Sequence, residues 1–396
     1  MIDKLVLQIP FSDSIVSGSA LSGDDVFACP FSRDGVYSVD PKKLPFRLSA
    51  REIFRNDQGE ITDFDLMCPW DSLASSHSGL AIKPFILGNG KQCWPYLELK
   101  CSPAKLAQGH NVFGTDDLQP CVENMLFVLS SHYPEIANYI NIKRARISEI
   151  DITYSSIVNG KTHQRAIIDV LRHTSKGQTK NRGDSYETTT YFGARRGPKR
   201  IKIYLKGPEI LLDIKDRQRK KLSIPPESVI NLAQKLVRFE VTLKRDWLER
   251  RAIPVNLGQA LAWFDPEKIR ALFAEAVKDL IKALDGEDMT ISHDGQVIAE
   301  LEKVHGDTRG RVARLMGFYQ GLKSVGYEGM KRQHPDRTFR RYVTDLEACG
   351  FSRAYLQSLH EHGGATVLSF PQLVRMEWMD EPAPPGYLYP LLADAV

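Results

Sequence analysis

The chain has 396 residues, of which 42% are hydrophobic and 26% are charged, so it is long enough for two or three globular domains. Residues 1–10 are too polar and too short for a signal peptide, and no apolar run reaches the length of a membrane span. The six cysteines include no Cys-x-x-Cys pair and no zinc spacing, which favours a reduced, intracellular protein.

The net charge of +4 hides an asymmetry along the chain. Residues 1–142 carry 11 basic and 17 acidic residues, whereas residues 143–396 carry 42 and 32. Much of the positive charge is clustered at 143–146, 195–206, 215–221 and 331–341, and several of these clusters interleave with aromatic residues, as at Phe339 and Tyr342. Such clusters favour a nucleic-acid partner, and scattered solvated charge is the alternative for any one of them.

The first two thirds of the chain combine alternating strands with few helices, which is typical of an α+β fold. Residues 1–142 hold short strands, turns and one helix predicted at 119–129. Residues 143–257 hold longer strands. Three other segments are predicted between those strands, namely a helix at 164–173, an exposed polar connection at 175–184 and a basic linker at 213–225.

The remaining part, residues 258–396, is mainly helical because its apolar residues recur at helical spacing. Helices are predicted at 266–284, 309–325, 338–349 and 352–360, and a turn or hairpin at 286–298. We therefore expect an N-terminal α+β region, a sheet region that carries the chemistry, and a smaller C-terminal DNA-binding region, with the boundaries 1–142, 143–257 and 258–396.

A strand at 201–206 follows a turn rich in cations and carries a tyrosine between two lysines. Its apolar side chains alternate with Lys202, Tyr204 and Lys206, so these three share one face. Nearby cations favour the phenolate and can hold a phosphate, which suits a nucleophile that attacks a phosphodiester. An ordinary half-buried strand with a solvated basic face is the alternative.

Three more alternating strands place acids on a polar face. Asp151 lies in the strand at 149–154, Glu240 in the strand at 236–244, and Glu98 in the strand at 94–100. These strands would form one antiparallel sheet with a buried face and a face of acids, bases and a tyrosine. Carboxylates beside a nucleophile suit a hard divalent cation, while cross-strand ion pairs are the alternative.

Two motifs are missing from the sequence, and one histidine is a candidate. No Gly-x-x-x-x-Gly-Lys-Ser/Thr loop occurs, which argues against an ATPase or helicase, and no two histidines are separated by a single apolar residue, as they are in the usual HUH metal site. His110 lies in a loop bracketed by Gly109 and Gly114, where a metal ligand or base would be presented. A structural role for a lone loop histidine is the alternative.

Several blocks of the sequence carry a family resemblance: Ser102–Lys105 with Gln108–Thr115, Ile150–Asp151, Gly177–Lys180, Tyr204–Lys206 and Leu236–Glu240. Over most of its length the chain resembles the replication-initiation endonucleases of filamentous bacteriophages, the gene II protein family. The Ile-Asp and Arg-Phe-Glu blocks also resemble, more loosely, those of plasmid rolling-circle initiators. In those initiators, acidic residues replace the usual histidine pair at the metal.

The resemblance implies a fold, a reaction and a site. The fold would be α+β, an HUH-like antiparallel sheet with helices on one face, followed by the helical C-terminal domain. The protein would nick the plus-strand origin through a phosphotyrosine, with Mg²⁺ or Mn²⁺, and would later rejoin the displaced strand. The matched blocks make Tyr204 the nucleophile and Asp151 and Glu240 the metal ligands, followed by His110 and Glu98.

The resemblance also implies partners: double-stranded origin DNA, the single plus strand, and the helicase and polymerase of a bacterial host in whose cytoplasm the protein would work. No membrane partner is expected, and an oligomer on DNA is compatible with the sequence. Lys202 and Lys206 would act beside Tyr204. The expected DNA contacts are Arg195, Arg196, Lys199, Arg200, Arg238, Arg337, Arg340 and Arg341.

Three questions stay open at the level of sequence. A non-catalytic origin-binding protein or repressor, which would use only the basic helical part, and an RNA-binding regulator are the alternatives to a nickase. Tyr191 would be available as a second tyrosine. Met289 lies where the family's shorter, internally started product would begin.

Overall fold

The computed structural model describes residues 1–20, 35–59, 61–87, 94–158, 188–284, 294–306, 309–349, 353–360 and 383–395. It also describes residue 351 and, between 160 and 180, residues 160, 161, 164, 165, 167, 168, 171, 175, 176, 179 and 180. Met289, Gly177 and Gln178 lie outside the described residues, so the expectations about them stay predictions.

Fourteen strands are present in the described part of the chain: β1 Ile2–Pro10, β2 Val16–Ala20, β3 Gly35–Val39, β4 Ser49–Arg55, β5 Ile61–Met67, β6 Asp71–Ala74, β7 Gly79–Phe85, β8 Tyr96–Cys101, β9 Arg146–Ile157, β10 Ser175–Lys176, β11 Thr179–Lys180, β12 Thr189–Phe192, β13 Lys199–Leu205 and β14 Leu236–Lys244. Eight of them form one sheet, in the order β12-β13-β14-β9-β1-β8-β7-β6, and every neighbouring pair is antiparallel. The predicted antiparallel sheet is thus confirmed.

The helices of the sheet domain are α1 Pro103–Gln108, α2 Leu118–His132, α3 Lys206–Arg219, α4 Glu227–Ala233, α5 Arg245–Glu249, α6 Leu257–Trp263 and α7 Pro266–Leu284. One face of the sheet is apolar, and α2, α6 and α7 pack on it to form the main hydrophobic core. This agrees with the expected layer of helices. A smaller core, which α3 and α4 form with the loop around Val112, lies at the start of β14 on the other face.

The C-terminal helices have a hydrophobic core of their own. They are α8 Asp294–His305, α9 Arg309–Val325, α10 Tyr327–Gln333, α11 Asp336–Ala348 and α12 Arg353–Ser358. The turn or hairpin predicted for 286–298 is wrong at its C-terminal end, because α8 begins at Asp294 and Val297 is fully buried in this core. None of the described helices is long and apolar enough to cross a membrane.

The structure also shows how the three expected parts are connected. Strands from 1–142 and 143–257 belong to one sheet, since β1 lies between β8 and β9. Helix α7 follows residue 258 but packs in the core of the sheet, and near the C-terminus Leu392 packs in that core as well. The C-terminal helical core therefore begins after α7.

The basic linker predicted for 213–225 is wrong over its first half, because α3 continues to Arg219. This helix begins at Lys206, directly after β13. Ile210, Ile214 and Arg217 lie at helical spacing and turn toward the interior. The dense charges between them concealed this pattern in the sequence.

Candidate active site

A cleft of about 750 Å³ lies over the polar face of the sheet. Tyr204, Lys202, Asp151 and Glu240 all line it. These four residues come from β13, β9 and β14, which are adjacent in the sheet. The side chains that the sequence suggested for a nucleophile, a cation and two metal ligands therefore share one cavity.

The strand register explains why these side chains meet. Lys202 lies opposite Glu240, and Asp151 lies opposite both Thr242 on β14 and Lys4 on β1. Residues directly opposite each other on antiparallel strands point to the same face. Lys202 Nζ is 3.3 Å from Glu240 Oε2, and Lys4 Nζ is 3.4 Å from Asp151 Oδ2. Asp151 and Glu240 thus each have a lysine beside them.

Tyr204 is 3% exposed, and the ammonium of Lys202 lies 3.9 Å from the centre of its ring. Burial, followed by the negative charge of Glu240, raises the pKa of Tyr204 well above its usual value. The expectation that the lysines favour the phenolate is therefore wrong for this structure, because desolvation of the anion is the larger effect. Burial thus favours the neutral phenol over the phenolate.

The two carboxylates fit a hard divalent cation. Asp151 is 5% exposed, and its Oδ1 atom is buried without a hydrogen-bond partner. Burial, together with the charge of Glu240, raises the pKa of Asp151, and Lys4 opposes this change. A cation bound to the two acids would offset the free-energy cost of burying the Asp151 carboxylate and the repulsion between the two negative charges. No group of three or more His, Cys, Asp or Glu side chains suited to a metal is present in the described part, so water or phosphate oxygens would complete the shell.

Lys206 supports the site from behind the tyrosine and does not line the cleft. It is fully buried, donates a hydrogen bond from Nζ to Asn111 Oδ1 at 2.7 Å, and pairs with Glu209 at 2.5 Å. Its ammonium is 5.9 Å from the ring centre of Tyr204. Burial, followed by the charge of Arg238, lowers the pKa of Lys206 to about 8.

Sequence reasoning missed Lys4, Asn111 and Glu209, which all line the cleft. Glu209 follows Lys206 by three residues, a helical pairing distance that would have suggested it if α3 had been recognised. Asn111 lies within the Gly-His-Asn-Val-Phe-Gly block and also donates from Nδ2 to Asp3 Oδ1 at 2.7 Å. No sequence signal links Lys4 to Asp151, because their pairing depends on the contact between β1 and β9.

Arg238, which was expected to hold the phosphate or to activate the tyrosine, does not face solvent in this structure. Its side chain is buried, and Nε donates to Ser155 Oγ at 3.0 Å. The other guanidinium nitrogens donate to the carbonyl oxygens of Asn111 and Val112. The residue holds the loop that carries Asn111 against the sheet. An arginine at a polar strand position is otherwise a reasonable candidate for DNA binding, and only the packing of this loop reverses that interpretation.

Glu98 and His110 do not line the cleft. Glu98 accepts a hydrogen bond from Gln8 Nε2 at 3.0 Å, further along the polar face. His110 packs edge-on against Phe113 with 4.8 Å between ring centres. Burial, followed by the charge of Lys206, lowers the pKa of His110 to about 4. A setting with several cations opposes a dication, so a structural role suits His110 better than metal binding.

The expected DNA contacts fall into two groups. Arg195 and Arg196 are exposed beside β13, and Arg200 lies 4.0 Å from the ring centre of Tyr191 on the face of the cleft. In contrast, Lys199 points to the apolar face, where Nζ donates to the carbonyl oxygen of Ala276 in α7 at 2.8 Å. The second group is exposed on α11 and consists of Arg337, Arg340 and Arg341.

Fold and cleft together define an α+β protein that presents a tyrosine, lysines and paired carboxylates on one face of an antiparallel sheet. The chain belongs to the family of the phage replication-associated protein, the gene II protein, whose N-terminal model matches residues 1–261. The predicted membership in the gene II protein family of filamentous phages is thereby confirmed.

Relatives match nearly the whole chain. The replication-associated gene II protein of Enterobacteria phage M13 is 32% identical over 391 residues, which cover 91% of this chain and 92% of that protein. Its counterpart in Salmonella phage IKe is 29% identical over 418 residues and covers 99% and 97%. A solved rolling-circle replication initiator protein from Geobacillus stearothermophilus aligns with 70% of this chain and 84% of its own, at 12% identity and a TM-score of 0.28.

Proposed function

We propose that the chain is a Mg²⁺-dependent, site-specific DNA nickase and strand-transferase that initiates and terminates rolling-circle replication of a filamentous phage genome. The observation that carries this proposal is the cleft in which Tyr204 lies beside Lys202, Asp151 and Glu240. The names of the relatives, which are replication-associated proteins of filamentous phages, agree with it. Its DNA substrate would be the double-stranded origin, cut on the plus strand.

The reaction that fits the cleft is a transesterification. Tyr204 Oη would bond to the scissile phosphorus while the bond from phosphorus to the 3′ oxygen breaks, and the tyrosine proton would leave to a carboxylate or water of the cleft. The departing 3′ oxygen takes up a proton and becomes the primer end for the host polymerase. The phosphotyrosine keeps the energy of the broken bond, so rejoining the strand needs no ATP.

The other residues of the cleft have distinct parts in this proposal. Lys202, which is about one quarter exposed, is placed to contact the phosphate, while the buried Lys206 orients the tyrosine. Asp151 and Glu240 would hold Mg²⁺, or Mn²⁺ in its place, and the ion would withdraw charge from a phosphate oxygen. Host helicase and polymerase would act after the nick, because the sequence contains no phosphate-binding loop of its own.

A nicking assay with identification of the covalent adduct tests the proposal. The full chain would be incubated with supercoiled DNA that carries the phage origin, in Mg²⁺ and in excess EDTA. We expect open-circular product only in Mg²⁺, and a 5′-phosphoryl peptide that contains Tyr204 after nuclease and protease digestion. An adduct at another residue, or equal nicking in EDTA, would contradict the assignment.

A non-catalytic origin-binding protein is the second candidate, favoured by one observation. Arg337, Arg340 and Arg341 are exposed on α11, which packs in the separate C-terminal core. Such a surface can bind DNA whether or not the cleft is reactive. Tight origin binding with no adduct and no nick at any metal concentration would support this candidate and reject the nickase.

A further inference from the structure

Trp70 lines the cleft on the side of β6 and β7. It lines the same cavity as Tyr204 and is 45% exposed. It lies in the connection between β5 and β6, outside the hydrophobic cores. The proposed transesterification uses phosphate, carboxylates and lysines and leaves this indole without a part.

Trp70 continues into a row of rings on the polar face of the sheet. Lys83 Nζ is 5.8 Å from the ring centre of Trp70 and 5.0 Å from that of Phe85. Phe85 in turn stacks on Tyr96, with 4.7 Å between ring centres and 15° between ring planes. We refer to Trp70, Lys83, Phe85 and Tyr96 as the aromatic strip.

The strand register places this strip on the face that carries the cleft. Ala81 lines the cleft, and Lys83 and Phe85 follow it at two-residue spacing along β7, so all three point to the same side. Opposite them on β8 lie Lys100, Glu98 and Tyr96, respectively. The strip therefore begins at Trp70, which lines the cleft next to the edge strand β6, and extends across β7 to Tyr96 on β8.

We propose that Trp70, at the exposed end of the aromatic strip, stacks on an unpaired base of the DNA strand that enters the cleft, next to the scissile phosphate. The placement beside the scissile phosphate rests on the proposed function. A tryptophan face close to lysines offers stacking for a base and charge for its phosphate, which is how single-strand binding surfaces are built. Bases paired inside a duplex have no free face, so this chemistry selects a melted strand.

Binding by a non-cleaving chain tests the strip separately from the chemistry. The full chain with Tyr204→Phe would be titrated, by fluorescence anisotropy, with a labelled strand of about 15 thymidines and with an abasic strand of equal length, within the usual size of single-strand sites. We expect Trp70→Ala to weaken thymidine binding about tenfold and abasic binding hardly at all. Trp70→Phe should recover part of the loss.

One control variant and two further measurements test whether Trp70→Ala acts through a general effect on the protein. Phe54→Ala is the matched control, since Phe54 is 49% exposed on β4 and does not line the cleft; it should leave both affinities unchanged. Trp70→Ala should also leave the salt dependence of binding unchanged, because a stacked ring releases no counterions. An unchanged thermal midpoint would show that the exposed indole does not support the fold.

The outcomes separate the strip from the proposed function. Equal loss on thymidine and abasic strands, or no loss beyond that of Phe54→Ala, would overturn the stacking site even if the wild-type chain nicks DNA. A loss confined to the thymidine strand, in a chain whose wild type forms no adduct, would retain the stacking site and reject the nickase.

Discussion

The cleft and the arginine surface of α11 place charge in opposite surroundings. Asp151, which lines the cleft, is 5% exposed, and Lys206, which lies behind Tyr204, is fully buried; both have charged neighbours within a few ångströms. On α11, Arg340 is 80% exposed, and the acid nearest to it, Asp336, is 71% exposed. Charged residues therefore lie in surroundings of low polarity at the cleft and in bulk water on α11.

Because of this difference, the buried charges around the cleft suit a reaction, whereas the exposed arginines of α11 suit binding to DNA. Buried charges interact strongly at short range and shift one another's protonation, which a reaction centre needs. Exposed arginines interact weakly with any single partner but release counterions from DNA, which gives affinity that depends on salt. Changes in the cleft should therefore affect rate and pH dependence, and changes on α11 should affect binding and salt dependence.

The largest effect is expected from Tyr204→Phe, which keeps the buried ring but removes the oxygen of the proposed nucleophile. Nicking and strand joining should fall by about 10⁴-fold or more, while origin affinity stays near that of the wild type. Gel assays of nicking, combined with anisotropy for binding, measure both quantities. Comparable nicking by the variant would show that Tyr204 is not the nucleophile.

Asp151→Asn and Glu240→Gln should each lower the cleavage rate by at least about 100-fold and weaken its response to Mg²⁺. Although Asp151→Asn should lower the cleavage rate, it should raise the stability of the fold. The raised pKa of Asp151 means that the folded chain still holds a proton where the unfolded chain has lost it, so stability falls as the pH rises above the ordinary value of 3.8. Asp151→Asn removes this cost.

Thermal melts between pH 4 and 8, with a magnesium titration of cleavage, test both parts of this prediction. We expect Asp151→Asn to be at least as stable as the wild type at neutral pH. A structural ion pair between Asp151 and Lys4 predicts the reverse: the variant would be less stable, and its cleavage at saturating Mg²⁺ would be near normal.

Replacing Arg337, Arg340 and Arg341 together with Ala should act on binding alone. Each lost phosphate contact flattens the slope of log K against log salt by about one unit, so the triple variant should lose about three units on duplex origin DNA. Its single-turnover rate on saturating single-stranded substrate should change little. Lys206→Ala provides the contrast, since it should lower the rate more than the affinity.

Unchanged affinity and an unchanged salt slope in the triple variant would remove α11 from the DNA-binding surface. The comparison between buried and exposed charge would then hold for the cleft alone.

The smallest effect on cleavage is expected from substitution of His110, which should act on stability instead. With a pKa of about 4 in the folded chain against an ordinary 6.5, His110 takes up its proton more readily when unfolded. Stability should thus fall as the pH drops from about 6.5 to about 4, by up to roughly 3 kcal/mol, and His110→Gln should lose this dependence. Urea unfolding at pH 7 and pH 5 measures it.

A metal ligand at this position predicts a different result for the same variant. His110→Gln would then raise the Mg²⁺ concentration needed for half-maximal cleavage, whereas a structural histidine leaves it unchanged.

The sequence predicted the main sheet and the four residues Asp151, Lys202, Tyr204 and Glu240 of the cleft because strand side chains alternate with a period of two. The strands around Asp151, Tyr204 and Glu240 each show that alternation, and so they share a polar face. Helix α7 was predictable for the same kind of reason, through its spacing of apolar residues. These signals are local, and a single sequence contains them in full.

Tertiary structure decided how deeply each polar group is buried and what it meets. Tyr204 lies between cations in the sequence, yet burial and Glu240 together oppose its ionisation. Arg238 and Lys206 belong to a charged pattern that predicts exposure to solvent. In the structure, the loop that carries Asn111 covers Arg238, and the Asn111 side chain accepts a hydrogen bond from Lys206. Desolvation depends on which distant segments pack together, and periodicity along one strand carries no information about that.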